Sequence, residues 1–486
     1  MRNVNRTSSL LAMWVLLAAV PASAQSFRVQ CPTQTDLHPN GSTVDPDHPG
    51  VIKCQHIGGG DGYATMGDGT QIYLFGFSPL SGLRDIEAGL PGTETSRVFN
   101  IPYRGPNYST VQGPNVRDNP NDGAITEPAG IMDMGVLAAN APAPMMAIDE
   151  DDEFFLTLSN PGMIMRPDLF EQHTVHFHGY PNASSFFDGV PDASIAINIG
   201  GSFTYYYTAP EAGTYFWHCH ITPPEHLQMG MVGQLYVRPR QSRLTRNDLL
   251  RDALIAANKR AARPNSVADQ ATWAGTQCSD ILCTGQTPAP AANTATGGGR
   301  YAYNDGDGST RYDVEYPIQM MGFDPNFHYV GMTFNPEAFA DMKDKYFLLN
   351  GRGYPDTVNP GVIDTLSADG ISRPAQPLPS IITIPRSGRA LLRISDLSVT
   401  EHTTLGTIGI PMTVIALNAR LLRDMAGNNL YYNTNSITLG GGESLDVILD
   451  ATGVPSGTYF LYATNLDHLS NDAENFGGMM TEIRVQ

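Results

Sequence analysis

Charge is scarce in this sequence: Asp, Glu, Lys and Arg make up 16% of its 486 residues. Positive charge is scarcer still, with 29 Lys and Arg against 48 Asp and Glu, a formal net charge of −19. So acidic a chain has little with which to neutralise phosphates, which argues against nucleic acid and anionic membrane surfaces as partners. It is compatible with cationic substrates or metal ions. Long apolar runs are missing beyond Val20, and no later stretch is long enough to span a bilayer as a helix. Cysteine is sparse too, with five in all and none after Cys283.

What is abundant is glycine and proline, 49 and 36 residues. Frequent turn formers with little charge suit many short strands better than long helices. The length exceeds one ordinary domain and fits two or three. At the start, Arg2 and Arg6 precede an apolar run from Leu10 to Val20, and Pro21-Ala22-Ser23-Ala24 ends in a small-x-small pattern. Residues 1–24 therefore read as an export signal, with the mature chain beginning near Gln25 outside the cytoplasm, secreted or periplasmic.

Residues 25–240 read as strands broken by turns, including Phe154–Leu158, Ala193–Ile199 and Ser202–Thr208. A Leu/Ala/Arg-rich segment from Asp248 to Ala262, stopped by Pro264, predicts one helix. It opens a linker over 241–300 that holds Cys278, Cys283 and an Ala/Pro/Gly-rich stretch. Residues 301–486 are again strand-like, at Ile381–Ile384, Ala390–Ile394, Met412–Leu417, Ser444–Leu449 and Thr458–Ala463. The whole predicts an all-β chain of sandwiches or Greek-key barrels.

In an oxidising compartment Cys31 with Cys54, and Cys278 with Cys283, make two plausible bridges, which leaves Cys219 alone. Its neighbours give it a reason. Six of the twelve histidines fall in or just after two clusters, His173-Thr174-Val175-His176-Phe177-His178 and Trp217-His218-Cys219-His220, the second followed by His226 and Met231. In strand-like sequence alternate side chains share a face. Then His176 and His178 face one way, His218 and His220 face one way, and Cys219 faces opposite to its neighbours. His173 can join it. Two ligand sets result, back to back. One is His173, Cys219, His226 and Met231: two imidazoles, a thiolate and a weak thioether, the donors of a blue-copper electron-transfer centre. The other is four imidazoles, His176, His178, His218 and His220. Structural zinc is the competing reading, but zinc prefers a closed tetrahedral set and has no use for the methionine or the paired motifs.

These motifs resemble those of the multicopper oxidases, and the likeness runs from His176 to Val237 through Phe187-Asp188-Gly189, Gly213-Thr214-Tyr215 and the Gly230–Val237 stretch. The resemblance implies two cupredoxin domains joined by a partly helical linker, with type 1 copper at His173, Cys219, His226 and Met231 in the first. It assigns the four remaining histidines to a type 2/type 3 copper cluster, and implies that Asp188 helps move protons to reduced oxygen. Asp188 also reads as a turn-capping residue before glycine. The second half is similar to the family's copper-free domain at Tyr346–Gly351, Gly440–Leu449 and Gly457-Thr458-Tyr459.

Two departures stand out. Ile221–Glu225 reads as a short loop insertion before His226, after which the interval to Met231 is the expected one, so Met231 is preferred to Met229. The cluster of the family needs eight imidazoles and this chain offers four, so a second copy or another protein is expected to complete it. His468 lies on a late loop, where related nitrite reductases place a ligand for a neighbouring subunit. His328, His402, His38, His48 and His56 carry no motif.

The expected function is one-electron oxidation of a reductant at type 1 copper, near an exposed His226, coupled to reduction of dioxygen to water. The reductant is left open among phenols and cuprous, ferrous or manganous ions, with the acidity leaning to metal ions. Nitrite reduction at a single type 2 copper between subunits is the alternative enzyme; it is disfavoured because those enzymes carry Asp where this chain has His176 and lack His220. A type 1 copper electron carrier is the alternative outside enzymes.

Overall fold

The computed structural model describes residues 27–45, 49–105, 123–181, 184–244, 250, 298–331, 338–424 and 427–486. The expected export signal, the helix from Asp248 and the Cys278/Cys283 pair fall outside these residues, Leu250 excepted. No helix among the described residues is long and apolar enough to cross a membrane. Cys31 and Cys54 are joined as expected, with Cα atoms 5.9 Å apart.

Strands dominate, and apart from two small two-stranded sheets they form two pairs of sheets among the described residues. In the first pair, β1 (Ile52–Thr65), β2 (Gln71–Pro79), β3 (Glu94–Thr95), β5 (Glu153–Ser159) and β7 (Ser202–Thr208) make one sheet, ordered β2-β1-β5-β7 with β3 beside β1. The facing sheet is β4 (Met146–Asp149), β6 (His176–Phe177), β8 (Gly213–His218) and β9 (Val232–Arg238), ordered β4-β9-β8-β6. β7 shows why the alternating sequence Phe-Thr-Tyr-Tyr-Tyr is a strand. Tyr205 and Tyr207 are buried between the sheets while Tyr206 lies at the partly exposed face, the period-two pattern of a sheet with one covered side.

The second pair repeats the plan. A seven-stranded sheet is built around Val314–Phe323, Arg389–Asp396, Ser444–Asp450 and Met412–Leu417. A five-stranded sheet is built around Met480–Val485, Gly457–Ala463 and Thr403–Ile408. Each pair encloses its own apolar core. All five strands expected in the second half are present. In the first half Phe154–Leu158 and Ser202–Thr208 are strands, but Ala193–Ile199 is not. Ala193 and Ser194 turn back on the Val190 carbonyl, and only Ile197 pairs, in an isolated bridge with His173.

β8 positions the site. All six of its residues are buried because both faces are covered. Tyr215 and Trp217 point into the first core. Thr214 and Phe216 point to the second half, where Thr214 Oγ1 donates to Asp446 Oδ1 at 2.6 Å and Phe216 packs with Phe323 and Leu397. The second half is thus the lid on the outer face of β8.

Candidate metal centre

The last residue of β8, His218, pairs with Val232, and the Cys219 N–H donates to Met231 O at 3.1 Å, extending the ladder one step past the strand end. Alternation therefore continues through Cys219, whose side chain follows Tyr215 and Trp217 into the first core. His218 and His220 take the other side. The expected strand around His173–His178 is only two residues long, His176–Phe177, and His173 is placed instead by its bridge to Ile197. The expected loop insertion after His220 is the start of a short helix, Pro223–Gln228, with its prolines in the first turn, where a missing N–H costs nothing. This helix carries His226.

The inner group is compact. Donor atoms of His173, Cys219 and His226 all lie within 4.8 Å of one another, and all three residues are fully buried. His226 Nδ1 is 3.3 Å from Cys219 Sγ, and the Thr174 N–H donates to the same sulfur at 3.4 Å. Burial by itself would push the Cys219 thiol up, but the adjacent His226 and His173 imidazoles hold it well below the ordinary value. Burial alone would lower His226, yet Cys219 and Glu171 raise it to about 9. His173 is lowered, chiefly by burial. Met229 and Met231 are both fully buried in the same core cluster, so burial does not choose between them.

His226 is a correction to the sequence reading, which placed it at an exposed edge. Its imidazole has no accessible surface because the helix tucks it under the loop before His173, with Phe75 against its ring. Its Nε2 faces Glu171 Oε2 at 3.6 Å, and that carboxylate is partly exposed. Nothing in the sequence marks Glu171 beyond its place two residues before His173.

The outer group comprises His176, His178 and His218, whose donor atoms also lie within 4.8 Å. His178 Nε2 and His218 Nε2 are 3.0 Å apart. In each of the three, Nδ1 is taken by a backbone carbonyl: Asp188 O at 2.8 Å from His176, Gly442 O at 3.1 Å from His178, and Cys219 O at 2.7 Å from His218. A carbonyl can only accept, so each Nδ1 carries the hydrogen and each Nε2 keeps its lone pair for a metal. Burial lowers His218 to about 3 and His178 in the same direction, so both are neutral at ordinary pH. The His220 ring lies 5.0 Å from that of His176 and 5.4 Å from that of His218, on the same side but outside the tight triplet. Asp188 meets His176 chiefly through its backbone; its carboxylate is 3.5 Å from the same nitrogen. Gly442, from the second half, lies in the Gly440–Leu449 stretch that resembles the copper-free domain, but nothing in the sequence assigns it a part in the site.

Three further histidines, His468, His56 and His328, are buried away from both groups. His468 is buried, stacks on Phe347 with ring centroids 4.0 Å apart, and faces Glu401 at 3.3 Å. It presents no free nitrogen at the surface for a neighbouring chain. His56 bonds Ile125 O and Ser159 Oγ, and His328 lies between Tyr73 O and Gln228 O.

The inner group fits a copper ion on its own chemistry. A buried thiol with two buried imidazoles, His173 having no hydrogen-bond partner outside the group at either nitrogen, is costly unless a cation satisfies it. Soft sulfur with imidazole suits copper in both oxidation states. Two family profiles described as Multicopper oxidase match residues 126–242 and 333–481, together more than half of the chain.

The chain belongs to the multicopper oxidase family. Copper is the cofactor this family implies. Among curated relatives, "Laccase abr2" of Aspergillus fumigatus is 30% identical over 136 residues, 27% of this chain and 22% of the relative. A copper-containing nitrite reductase of Neorhizobium galegae is 34% identical over 104 residues, 21% of this chain and 24% of the relative. In both, the match spans less than a quarter of the relative's length. The blue copper oxidase of Nitrosomonas europaea shares the fold, with TM-score 0.51 and 16% identity over 89% of this multicopper oxidase and 85% of that chain. Such neighbours place both halves among cupredoxin-like sandwiches.

Proposed function

We propose that this multicopper oxidase takes electrons singly from a reductant at the inner group and uses them to reduce dioxygen to water at the outer one. The supporting observation is the His218-Cys219-His220 segment, in which Cys219 of the inner group is bonded on one side to His218 of the outer group and on the other to His220, which lies beside that group. When bound, copper supplies the redox change at both positions. The protein's part is to hold thiolate and imidazoles in a dry pocket, to aim the Nε2 lone pairs of His176, His178 and His218 at one point, and to place Asp188 beside His176. Met231, on its interval from His226, is read as the axial donor and Asp188 as a proton-handling residue.

Four imidazoles are half of a three-copper cluster, and His178 is exposed at the open side of the group. We therefore read a second copy of the chain as the source of the rest. The division into a copper-bearing domain over 25–240, a linker over 241–300 and a copper-free domain over 301–486 belongs to the same reading. So does export, which the Cys31–Cys54 bridge supports.

One measurement tests the proposal: copper per chain with visible and EPR spectra, followed by oxygen uptake. A blue band, more than one copper per chain and oxygen uptake are expected. A single blue copper per chain without uptake would leave an electron carrier. The close His178/His218 pair and the nitrite reductase relative favour one second reading, nitrite reduction at a single outer copper. Nitrite-dependent oxidation of a reduced dye in the absence of oxygen would select it.

A further inference from the structure

His176, His178 and His218 are each held by a hydrogen bond from the ring nitrogen that faces away from the group. Such a bond ordinarily fixes the orientation of a ligating imidazole. His173 lacks one. It is fully buried, and outside the inner group neither of its ring nitrogens has a hydrogen-bond partner. Its ring must be held by packing, and the glycine run of β1, Gly58-Gly59-Gly60-Asp61-Gly62, supplies the packing surface.

Positions alternate along β1. On one face Gly60 and Gly62 admit the segment around Gly135 and Ala139: a Cβ on Gly60 would stand 2.6 Å from Gly135 O, and one on Gly62 2.9 Å from Ala139 N. On the other face Gly59 meets His173. A Cβ there would lie 2.4 Å from His173 Cδ2, 3.1 Å from Cγ and 3.2 Å from Nε2. Gly59 is not among the glycines with positive φ. The ring, and not the backbone dihedral, is what demands a glycine.

We infer that Gly59 is a positioning residue for the inner group: bare backbone of β1 is the stop that orients the His173 imidazole in place of a hydrogen bond. The inference rests on His173 being a metal ligand. Carbon atoms in contact sit about 3.5–4.0 Å apart, so a methyl group at Gly59 forces the ring back by about 1 Å or turns it. Either motion pulls one imidazole out of line with Cys219 and His226. The three atoms nearest a Cβ at Gly59 all belong to His173 and none to the outer group.

The test compares copper-loaded wild type with Gly59→Ala and Gly58→Ala, reading blue absorption per bound copper and the EPR spectrum. Gly58→Ala adds the same methyl to the same strand but directs it at Ser78 Oγ and the tip of Leu80, away from His173. Gly59→Ala is expected to lose at least half of the blue intensity with an altered EPR signal, and Gly58→Ala to keep both. Should Gly59→Ala not fold, the double variant Gly59→Ala/His173→Gly is expected to fold, since the methyl enters the space the ring vacates. With free imidazole it should then regain a blue band like that of His173→Gly alone. An unchanged band in Gly59→Ala, an equal loss in Gly58→Ala, or a double variant that stays unfolded would each overturn the inference. Absence of a blue band in the wild type would remove the ligand reading first, a failure seen before any substitution is made.

Discussion

The inner and outer groups share a three-residue stretch of backbone, yet they are held by opposite means. The inner group draws its three donors from one chain, has no solvent contact, and its His173 is held by packing with no bond from outside the group. The outer group is oriented by three backbone carbonyls, one of them from the second half, and is open on the side of His178. The contrast follows from β8. Its inner face looks into a core where hydrophobic packing is dense and polar partners are few. Its outer face looks at the seam between halves, where the Gly442 carbonyl reaches His178. A ligand set built in a core is stiff and self-sufficient. One built at a seam depends on its neighbours.

Cys219→Ser would break the comparison most severely. It should abolish the blue band completely while the outer histidines still bind copper, as absorption and metal analysis would show. His218→Ala should do the reverse, keeping the blue band but cutting oxygen uptake by at least about 100-fold, at or beyond the upper end of what loss of a supporting contact costs. If His218→Ala also removed the band, the two groups would not be separable.

Gly442→Ala probes the seam. A Cβ there would sit 2.7 Å from His178 Nδ1 and Cε1, at a φ of 90° that disfavours side chains. Copper affinity of the outer group should fall about 10-fold, the lower end for an orienting contact, with the blue band unchanged; competition with a chelator would measure it. The smallest effect concerns the seam beneath the inner group. Gln228, two residues after His226, donates to the buried Asp344, which also accepts from Thr400 Oγ1. Burial, with help from nearby acidic groups, pushes the Asp344 carboxyl up to about 7. Because the folded state binds this proton more tightly than the unfolded chain, its contribution to stability is full below pH about 4 and is lost as pH rises through about 7. Melting temperatures of the copper-free protein across that window should decline, and Asp344→Asn should flatten the decline.

Much of the site was legible because alternation along a strand is a local property. Cys219 between two histidines separates two donor sets whatever the strand pairs with, and the structure keeps that separation even though the strand ends at His218. The position of His226 was not legible in the same way. Pro223 and Pro224 resemble a loop as much as the first turn of a helix, and only the contacts of that helix with Phe75 and the loop before His173 bury the imidazole. The strand expected over Ala193–Ile199 failed for a related reason: its residues suit a strand, but no neighbour offers an edge beyond the single bridge at His173.

The sequence by itself determined the donor types, their division into two sets and the all-β character of both halves, since each follows from residue identity and a spacing of two. Tertiary structure alone decided what surrounds those donors: Glu171 over His226, Gly59 against His173, Gly442 under His178, and His468 turned inward onto Phe347. These partners lie tens to hundreds of residues away along the chain or carry no distinguishing side chain. Their roles come from backbone placed close by packing, which residue identity does not encode locally.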